Sequence, residues 1–424
     1  MMYLFEDLGL QSHLQAIAVF IAAFIFLHIF FKGRLFKIVF YYILFFCVCS
    51  LLYYVFPKPL WLEFEPVEIR AESLIYAYVL LLILAVPLSY IDLNIDYKLD
   101  RYAPFFKFLT IILLSFSVFP FFEGIYRAIN IDAASLLNAY EGHYDSYSVI
   151  TSISIQLRNY FRYFNYLLLF YYILNLRKNK ENRILLYANL LVLATTIILA
   201  FSGGARGIIV NELNYLVVCY FLFESKYSNG LRKKIKRIAT YSLVIIIILL
   251  GIVTMARSSD DGDNIALISW VLLYPGQGPN EFSRNMMPST VRTNGDNSFS
   301  LFKTIVGKKT FKDNDQRREY WERYQYIPNY IFYTLIGDIY SDLGYFGTMS
   351  FCILFSVIIS LYIRNVYKDA DVSLTAIMTS IFIFEWISMG MMTNCYKSYY
   401  YQFFILFTLI VSYGYTVLTR KGKI

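Results

Sequence analysis

The sequence has little of the chemistry that builds metal sites or disulfide frameworks. It contains only three histidines, His13, His28 and His143, and they are far apart along the chain. Its five cysteines lie in or beside apolar runs, and none belongs to a Cys-x-x-Cys pair. The large loop 257–344 holds no pair of cysteines, and neither the cysteines nor the histidines have the spacing of a metal site, so we expect free thiols, no disulfide framework and no metal ion.

Several motifs of known catalytic machinery are also missing. There is no Gly-x-Ser-x-Gly nucleophile motif and no P-loop following a strand. The short segments predicted to face the cytoplasm hold no Asp-x-Asp motif of the kind that binds nucleotide sugars. A synthase that uses nucleotide sugars needs a cytoplasmic catalytic domain, so the sequence argues against that class. We expect no cofactor. We also expect no nucleic acid partner, because the net charge of +8 comes from short loops.

Charge is scarce and apolar runs are long. Only 16% of the residues are charged, 58% are hydrophobic, and the mean hydropathy is +0.51. Runs of about 18 apolar residues can cross about 30 Å of hydrocarbon, and they must be helical because lipid offers the backbone no hydrogen-bond partners. The sequence therefore predicts an all-α polytopic membrane protein that forms a single integral membrane domain over residues 1–424. About 11 transmembrane helices are predicted, at residues 14–31, 38–56, 73–91, 108–122, 149–176, 184–201, 208–223, 238–256, 345–363, 372–392 and 401–419.

The distribution of Lys and Arg predicts which side of the membrane each segment faces. One set of short segments carries 21 Lys and Arg, and the set on the opposite side carries five. Since positively charged short loops stay in the cytoplasm, we expect the N-terminus outside and the C-terminus in the cytoplasm. The large loop 257–344, between spans eight and nine, then lies on the outer, periplasmic side and holds short helices of its own.

Two arginines fall inside the predicted fifth span. Arg158 and Arg162 are four residues apart, so a continuous helix places them on one face. A charge within a span costs about 2.5–3.5 kcal/mol by insertion scales. The functional interpretation is a pair that binds phosphate, since guanidinium groups hold phosphate oxygens in a bidentate manner. The alternative is that the span begins nearer Tyr163 and that both side chains lie at the level of the lipid headgroups.

A second candidate phosphate site is the Ser-Gly-Gly-Ala-Arg-Gly turn at 202–207, between spans six and seven. Its glycines permit a tight turn with exposed N–H groups, and the helix that follows presents its N-terminus to an anion. With Arg206 added, the turn predicts a diphosphate site. The alternative is an ordinary glycine-rich hairpin whose Arg206 side chain extends to the membrane surface.

The outer segments supply the candidate bases. Residues 274–282 are rich in Gly and Pro and predict a shaped loop with Glu281 at its exit, where a carboxylate can take a proton from a sugar hydroxyl. A helix-capping glutamate is the alternative. Asp338 and Asp342 lie four residues apart before span nine, where they bind sugar hydroxyls, act as a base or form a solvated helix end. His143, outside span four, is a lone candidate base, and a surface histidine is the favoured interpretation.

The layout of the chain resembles that of a known family of membrane enzymes. It has many spans, a Gly-Gly-Ala-Arg-Gly turn between two mid-chain helices and one large outer loop late in the chain. The sequence Ile-Gly-Asp-Ile-Tyr-Ser-Asp-Leu-Gly-Tyr-Phe-Gly at 336–347 leads into the next span. In these features the chain resembles Wzy-type O-antigen polymerases, also called oligosaccharide repeat unit polymerases. The related O-antigen ligases share the layout.

The resemblance implies a reaction. Such polymerases act in lipopolysaccharide biosynthesis at the outer face of the bacterial inner membrane. They are metal-independent glycosyltransferases that transfer a growing glycan from undecaprenyl diphosphate to the non-reducing end of another lipid-linked repeat unit. The expected partners are the lipid-linked oligosaccharide, membrane lipid and a chain-length regulator protein.

The resemblance also implies roles for particular residues. Arginines bind the diphosphate leaving group, which matches Arg206 and extends to Arg158 and Arg162. Some members carry Arg-x10-Gly motifs in outer loops, and Arg284 with Gly295 fits that spacing, although chance alone predicts about one such pair in this sequence. A loop acid serves as the base, with Glu281 the first choice, Asp338 the next, and Asp342 and His143 as further candidates.

Other functions remain open at this point. An O-antigen ligase shares the layout, but ligases usually rely on an outer-loop histidine, and the large loop has none. A flippase or transporter of lipid-linked oligosaccharide is a second alternative, although we find no internal repeat of the kind that many transporters show. Glu385 is a single acid inside span ten that a proton-coupled transporter can use, and Lys397, on the outer side, need not pair with it. A non-catalytic membrane subunit is the third alternative.

Overall fold

A computed structural model gives the fold of most of the chain. It describes residues 2–55, 69–95, 97–130, 147–202, 206–241, 275–308, 311, 314–325, 327, 333–368 and 372–420. These residues form helices and no strand, which confirms the predicted all-α class for this part of the chain. In chain order the helices are α1 (Met2–Phe30), α2 (Arg34–Val55), α3 (Ala71–Ala85), α4 (Ala103–Ser115), α5 (Val118–Ile129), α6 (Val149–Asn159), α7 (Phe164–Leu174), α8 (Lys180–Ser202), α9 (Arg206–Phe223), α10 (229–241), α11 (275–281), α12 (Ser300–Ile305), α13 (Asn314–Gln325), α14 (Leu335–Lys368), α15 (Leu374–Ser388) and α16 (Tyr399–Arg420).

Among the residues described, seven helices are long and apolar enough to cross a membrane. The bent pair α4 and α5 makes an eighth if it is counted as one span. The seven are Gly9–Phe30, Arg34–Val55, Ala71–Tyr90, Lys180–Ser202, Gly207–Lys226, Leu335–Lys368 and Tyr399–Thr419. These helices support a multi-pass membrane protein. The count of about 11 spans and the sidedness of the two termini stay predictions, and the predicted eighth span lies mostly outside the described residues.

The chain forms two compact units, each built from three separate segments. The first unit comprises Met1–Asp92, Asn264–Asp369 and Phe382–Phe403. The second comprises Leu93–Asp263, Ala370–Ile381 and Phe404–Ile424. The single integral membrane domain expected from the sequence stays a prediction.

Helix α3 is the centre of the first unit. Helices α1, α2 and α14 all pack against it, and most of its side chains are buried. On α1, by contrast, large apolar side chains point outward, as they do on a helix that faces lipid. These exposed side chains are Ile25, Phe26, Ile29 and Phe30.

The Gly- and Pro-rich stretch 274–282 is not the shaped loop that its composition suggested. Residues 275–281 form α11, and a π-helical turn continues over Phe282–Met286. A Cβ atom on Gly276 would lie 2.5 Å from the Cβ of Tyr53, and one on Gly278 would lie 2.5 Å from the carbonyl oxygen of Met391. The two glycines therefore permit close approach of neighbouring segments, and the prediction of a loop was wrong.

Helix α8 has the corresponding central place in the second unit. It packs against α4, α5 and α7, while α9 packs against both α7 and α8. The predicted fifth span, 149–176, is interrupted here, because α6 ends at Asn159 and α7 begins at Phe164. Three-residue turns fill the gap, with the N–H of Phe161 donating to the carbonyl of Arg158 at 3.0 Å. The predicted fourth span is also bent, by 42° between α4 and α5.

Helix α14 extends ten residues before the predicted ninth span and changes direction at Gly344. That glycine has φ 70° and ψ −174°, a conformation that side-chain-bearing residues rarely adopt. The segment 335–343 before the break carries Asp338 and Asp342, and both are buried. The glycine break thus separates a short polar helix from the long apolar helix that follows.

Candidate functional site

The second unit contains a buried group of charged residues that we call the arginine cluster: Arg158, Arg162, Tyr166 and Glu212. The Nη2 of Arg162 donates to the Oε1 of Glu212 at 3.4 Å. The hydroxyl of Tyr166 donates to the other carboxylate oxygen of Glu212. Arg158 is only 4% exposed. The prediction of one continuous helix carrying both arginines on one face was wrong, because α6 ends at Asn159, before Arg162. Their predicted role in binding phosphate stays a prediction.

The amino-acid pattern of α6 explains how Arg158 reaches the interior. Thr151, Ser154 and Arg158 recur at intervals of three and four residues and are all buried. The opposite side of the helix exposes Val149, Ile150, Ile153 and Leu157, an apolar face suited to lipid. Helix α6 thus presents a polar stripe to the interior of its unit, and Arg158 lies at the inner end of that stripe.

The charges of the arginine cluster do not balance. Among the cluster's own residues, two guanidinium groups lie near one carboxylate, that of Glu212, which pairs with Arg162 and is 2% exposed. Among the described residues, the Nε and Nη1 of Arg158 are buried and have no hydrogen-bond partner. An uncompensated buried charge is costly, and natural proteins keep one mainly where it serves a function. The cluster therefore has the charge and the free donor groups to bind an anion.

Glu212 was missed by the sequence reasoning. It lies between Ile208 and Phe223, in a stretch that had been assigned as an apolar span. The rule that flagged Arg158 and Glu385, that an ionisable group inside a span deserves a functional hypothesis, applies equally to it. That signal alone was enough to find Glu212.

For two predicted site residues, Arg206 and His143, the structure does not describe the side chain. Arg206 is the first residue of α9, two residues before the predicted span, and its side chain is not described; residues 203–205 of the predicted turn lie outside the described residues. His143 lies within 131–146, outside the described residues. Their predicted roles stay predictions.

In the first unit, Glu281 is deeply buried at the end of α11. The Nδ2 of Asn285 donates to its Oε2 at 2.6 Å, and the Nη1 of Arg284 lies 3.8 Å from its Oε1. Arg284, predicted as a diphosphate ligand, thus lies against a carboxylate in a buried pair. Glu281 and Arg284 together form a polar group at the junction between α11 and the π-helical turn.

The residue beside Glu281 ties three helices together. The Nδ2 of Asn280 donates to the carbonyl oxygen and the hydroxyl of Ser50 on α2, at 3.0 and 2.8 Å. The Nε2 of His13 on α1 donates to the Oδ1 of Asn280 at 3.0 Å. These hydrogen bonds satisfy the side-chain amide of Asn280 and fix α11 against α1 and α2.

Asp338 forms a buried ion pair. The Nζ of Lys397 donates to its Oδ1 at 2.6 Å. The expectation that Lys397 need not pair with Glu385 is consistent with this contact. Glu385 is itself buried and accepts a hydrogen bond from the Sγ of Cys395 at 3.0 Å.

Asp342 holds a loop in place. It accepts hydrogen bonds from the backbone N–H groups of Gly295, Asn297 and Ser298, at 2.9, 3.1 and 2.6 Å. The hydroxyl of Thr293 donates to it as well. Neither Asp338 nor Asp342 is part of a solvated helix end, so that alternative is wrong. The two acids share one short helix but have different partners.

Helix α13 carries a group of aromatic side chains that we call the aromatic row: Tyr320, Trp321 and Tyr324. Their ring centroids lie 4.6–6.4 Å apart, and Tyr324 is 54% exposed. The Nε2 of Gln325 donates to the Oγ of Ser341 at 3.0 Å, which ties the end of α13 to the helix that carries Asp338. The rest of α13 is strongly polar, so its exposed rings are not explained by lipid contact along a span.

The described residues contain no group of three or more His, Cys, Asp or Glu side chains that could hold a metal ion. The five cysteines are free thiols. Comparison of the chain with protein-family models, with curated proteins and with solved structures finds no match.

Proposed function

We propose that this protein is a polymerase of lipid-linked oligosaccharide repeat units. It would transfer the growing glycan from undecaprenyl diphosphate to the non-reducing end of another lipid-linked repeat unit, at the periplasmic face of a bacterial inner membrane. The observation that carries the proposal is the arginine cluster, where Arg162 pairs with Glu212 and the buried Arg158 lies near the same carboxylate with its Nε and Nη1 lacking a partner among the described residues.

The chemistry needs a cationic site of this kind. As the acceptor oxygen attacks the anomeric carbon of the donor glycan, the bond from that carbon to the diphosphate breaks and its electron pair passes to the diphosphate oxygen. Guanidinium groups stabilise the charge that develops there, and they act more strongly where water is excluded. Arg206 begins the same helix that carries Glu212, about 9 Å away along the axis, and is proposed as a further ligand.

The acceptor hydroxyl must lose a proton, and Glu281 is the proposed base. Asn285 fixes one of its oxygens, which orients the carboxylate. Asp338, held by Lys397, is the second candidate. Asp342 is assigned to holding the 293–298 loop, because that loop surrounds its carboxylate with hydrogen-bond donors.

The aromatic row supports a saccharide substrate. Aromatic faces bind the apolar faces of sugar rings, and the phenol and indole groups can also hydrogen-bond to hydroxyls. Glu319 and Arg323 are exposed on the same helix and add polar groups at its surface. We propose that Tyr320, Trp321 and Tyr324 bind sugars of the repeat unit.

A transporter of lipid-linked oligosaccharide is the second candidate. The specific observations in its favour are the buried Asp338–Lys397 pair and the buried acid Glu385, since such groups occur in proton relays within membranes. An O-antigen ligase also fits an arginine cluster. The three functions differ in their products, so one reconstitution separates them.

The experiment uses the full-length protein in liposomes with lipid-linked repeat units. We expect a ladder of glycans on undecaprenyl diphosphate from the wild type, and only single repeat units from Arg158→Ala. Arg183→Ala is the matched control, because Arg183 is an exposed arginine of the same unit and its loss should leave the ladder intact. A wild type that moves the lipid across the bilayer without elongating it, or that elongates only a lipid A core acceptor, would refute the polymerase.

A further inference from the structure

Glu212 is the one acid of the arginine cluster, and its position is costly. It lies in α9, which together with the turn after it forms the stretch Gly207–Lys226, apolar enough to span a membrane. An ionised carboxylate in such a place needs close partners. Arg162 and Tyr166 supply them, through the 3.4 Å contact to Oε1 and the hydrogen bond to Oε2. Glu212 therefore cancels one of the two positive charges of the cluster and occupies a donor group of Arg162.

Arg158 and Arg162 differ in how many of their donor groups are available to an anion that enters the cluster. Arg158 offers buried Nε and Nη1 atoms that have no partner among the described residues. Arg162 already donates its Nη2 to Glu212, so a ligand that contacts this atom must compete with the carboxylate. The formal charge of the cluster is +1, from two guanidinium groups and one carboxylate. Glu212 thus weakens anion binding without removing either arginine.

We propose that Glu212 sets the affinity of the cluster for diphosphate, so that the spent lipid diphosphate can leave after each transfer. The inference rests on the proposed function. When the glycosyl bond breaks, the diphosphate changes from a diester to a monoester and gains one ionisable oxygen. A cluster that lacked the Glu212 carboxylate would therefore hold the product more tightly than the donor. The carboxylate of Glu212 weakens this binding of the product, because it re-forms its contact with Arg162 as the product departs.

A purely structural role for Glu212 predicts a different result. If the carboxylate only orients Arg162, its removal disorders a ligand and weakens anion binding. If it competes with the ligand, its removal strengthens anion binding and slows product release. The sign of the change in affinity separates the two roles.

The test measures binding of inorganic pyrophosphate by titration calorimetry to the full-length protein in nanodiscs. A second arm adds undecaprenyl diphosphate to the nanodisc and measures whether it displaces pyrophosphate, which separates a lipid headgroup from a free anion as the ligand. We expect Glu212→Gln to bind pyrophosphate on the order of tenfold more tightly, since one opposing charge is removed at short range. In elongation assays its multiple-turnover rate should fall by a larger factor than its single-turnover rate.

Glu224→Gln is the matched control. Glu224 is a second buried carboxylate of the same unit, and it accepts a hydrogen bond from the hydroxyl of Tyr220 at 2.9 Å. It lies against Arg232 and Lys236, outside the arginine cluster. Its loss should leave pyrophosphate affinity unchanged, and a tenfold gain there would overturn the assignment to Glu212.

Tyr166→Phe provides a second variant in case Glu212→Gln does not fold. It keeps the charge of Glu212 but removes a donor, so the carboxylate binds Arg162 more strongly and pyrophosphate affinity should fall about threefold. Unchanged or tighter binding would overturn the inference. If Glu212→Gln binds pyrophosphate as tightly as the wild type or more weakly, the proposed role of Glu212 is wrong, while the polymerase proposal still stands. Tighter binding in Glu212→Gln without any elongation by the wild type upholds the anion site and overturns the polymerase.

Discussion

Replacing Lys397 by methionine tests whether Asp338 serves the fold or the chemistry. The side chain of Asp338 is 2% exposed, and Lys397 contacts it at 2.6 Å. Removing one partner of a buried ion pair costs about 3–5 kcal/mol, because the remaining charge stays in surroundings of low dielectric. The side chain of Lys397 is 26% exposed, so water screens part of the pair. We therefore expect Lys397→Met to cost about 3 kcal/mol, at the lower end of the range.

The double variant Asp338→Asn with Lys397→Met removes both charges. We expect it to recover most of the loss and to stay within about 1 kcal/mol of the wild type, the size of one lost hydrogen bond. Thermal unfolding of the wild type, both single variants and the double variant in one detergent gives the coupling energy. We expect at least about 2 kcal/mol, the difference between the loss in Lys397→Met and the loss in the double variant, plus whatever Asp338→Asn costs alone. A double variant whose loss equals the sum of the single losses would refute the pairing.

Measuring elongation by the same four proteins separates a structural role of Asp338 from a role as the base. If Asp338 only stabilises the first segment of α14, the double variant regains elongation together with its stability. If Asp338 is the base, the double variant is stable but inactive. We expect recovery, because Glu281 is the proposed base, and we expect Glu281→Gln to be folded and inactive. A stable, inactive double variant beside an active Glu281→Gln would transfer the role to Asp338.

Three further predictions concern other parts of the chain. Gly276→Ala should destabilise the protein by about 1–3 kcal/mol in thermal unfolding, because its Cβ would meet Tyr53 at 2.5 Å, whereas Gly414→Ala, with nothing within 4 Å, should be neutral or stabilising. Asp342→Ala should increase hydrogen exchange at the backbone amides of residues 295–298, and unchanged exchange there would show that other contacts hold the loop. Tyr324→Ala should raise the KM for the lipid-linked repeat unit several-fold with little change in kcat, while Phe302→Ala, an exposed aromatic of the same segment 257–344, should change neither.

The sequence predicted the long helices well because one physical requirement dominates them. An apolar run of sufficient length must be helical in lipid, so the bounds of α2, α8 and α16 agree with the predicted spans to within about four residues. The same requirement conceals interruptions. The turns between Asn159 and Phe164 and the break at Gly344 leave the composition of the run unchanged, so neither was predicted.

Only those parts of the candidate site whose residues lie within one predicted span could be predicted from the sequence. Arg158 and Arg162 stand out because they are charges inside one apolar run, and Glu212 stands out by the same rule. Pairings between distant segments left no such signal. Lys397 meets Asp338 across 59 residues, and His13 meets Asn280 across 267, so only the fold brings them together.

Charge balance is the reason to place the diphosphate site in the second unit. In the first unit, three buried carboxylates each have a positively charged or hydrogen-bonding partner. Glu281 lies against Arg284, Asp338 pairs with Lys397, and Asp342 accepts hydrogen bonds from backbone N–H groups. The arginine cluster differs, because the buried Arg158 and the partly buried Arg162 both lie near Glu212, the cluster's one carboxylate among the described residues. Replacing Arg158 by an apolar residue would serve the fold at lower cost, since a buried charge is expensive and its Nε and Nη1 gain no hydrogen bond from the residues described. An arginine that the fold does not need is best explained by an anion that the protein binds.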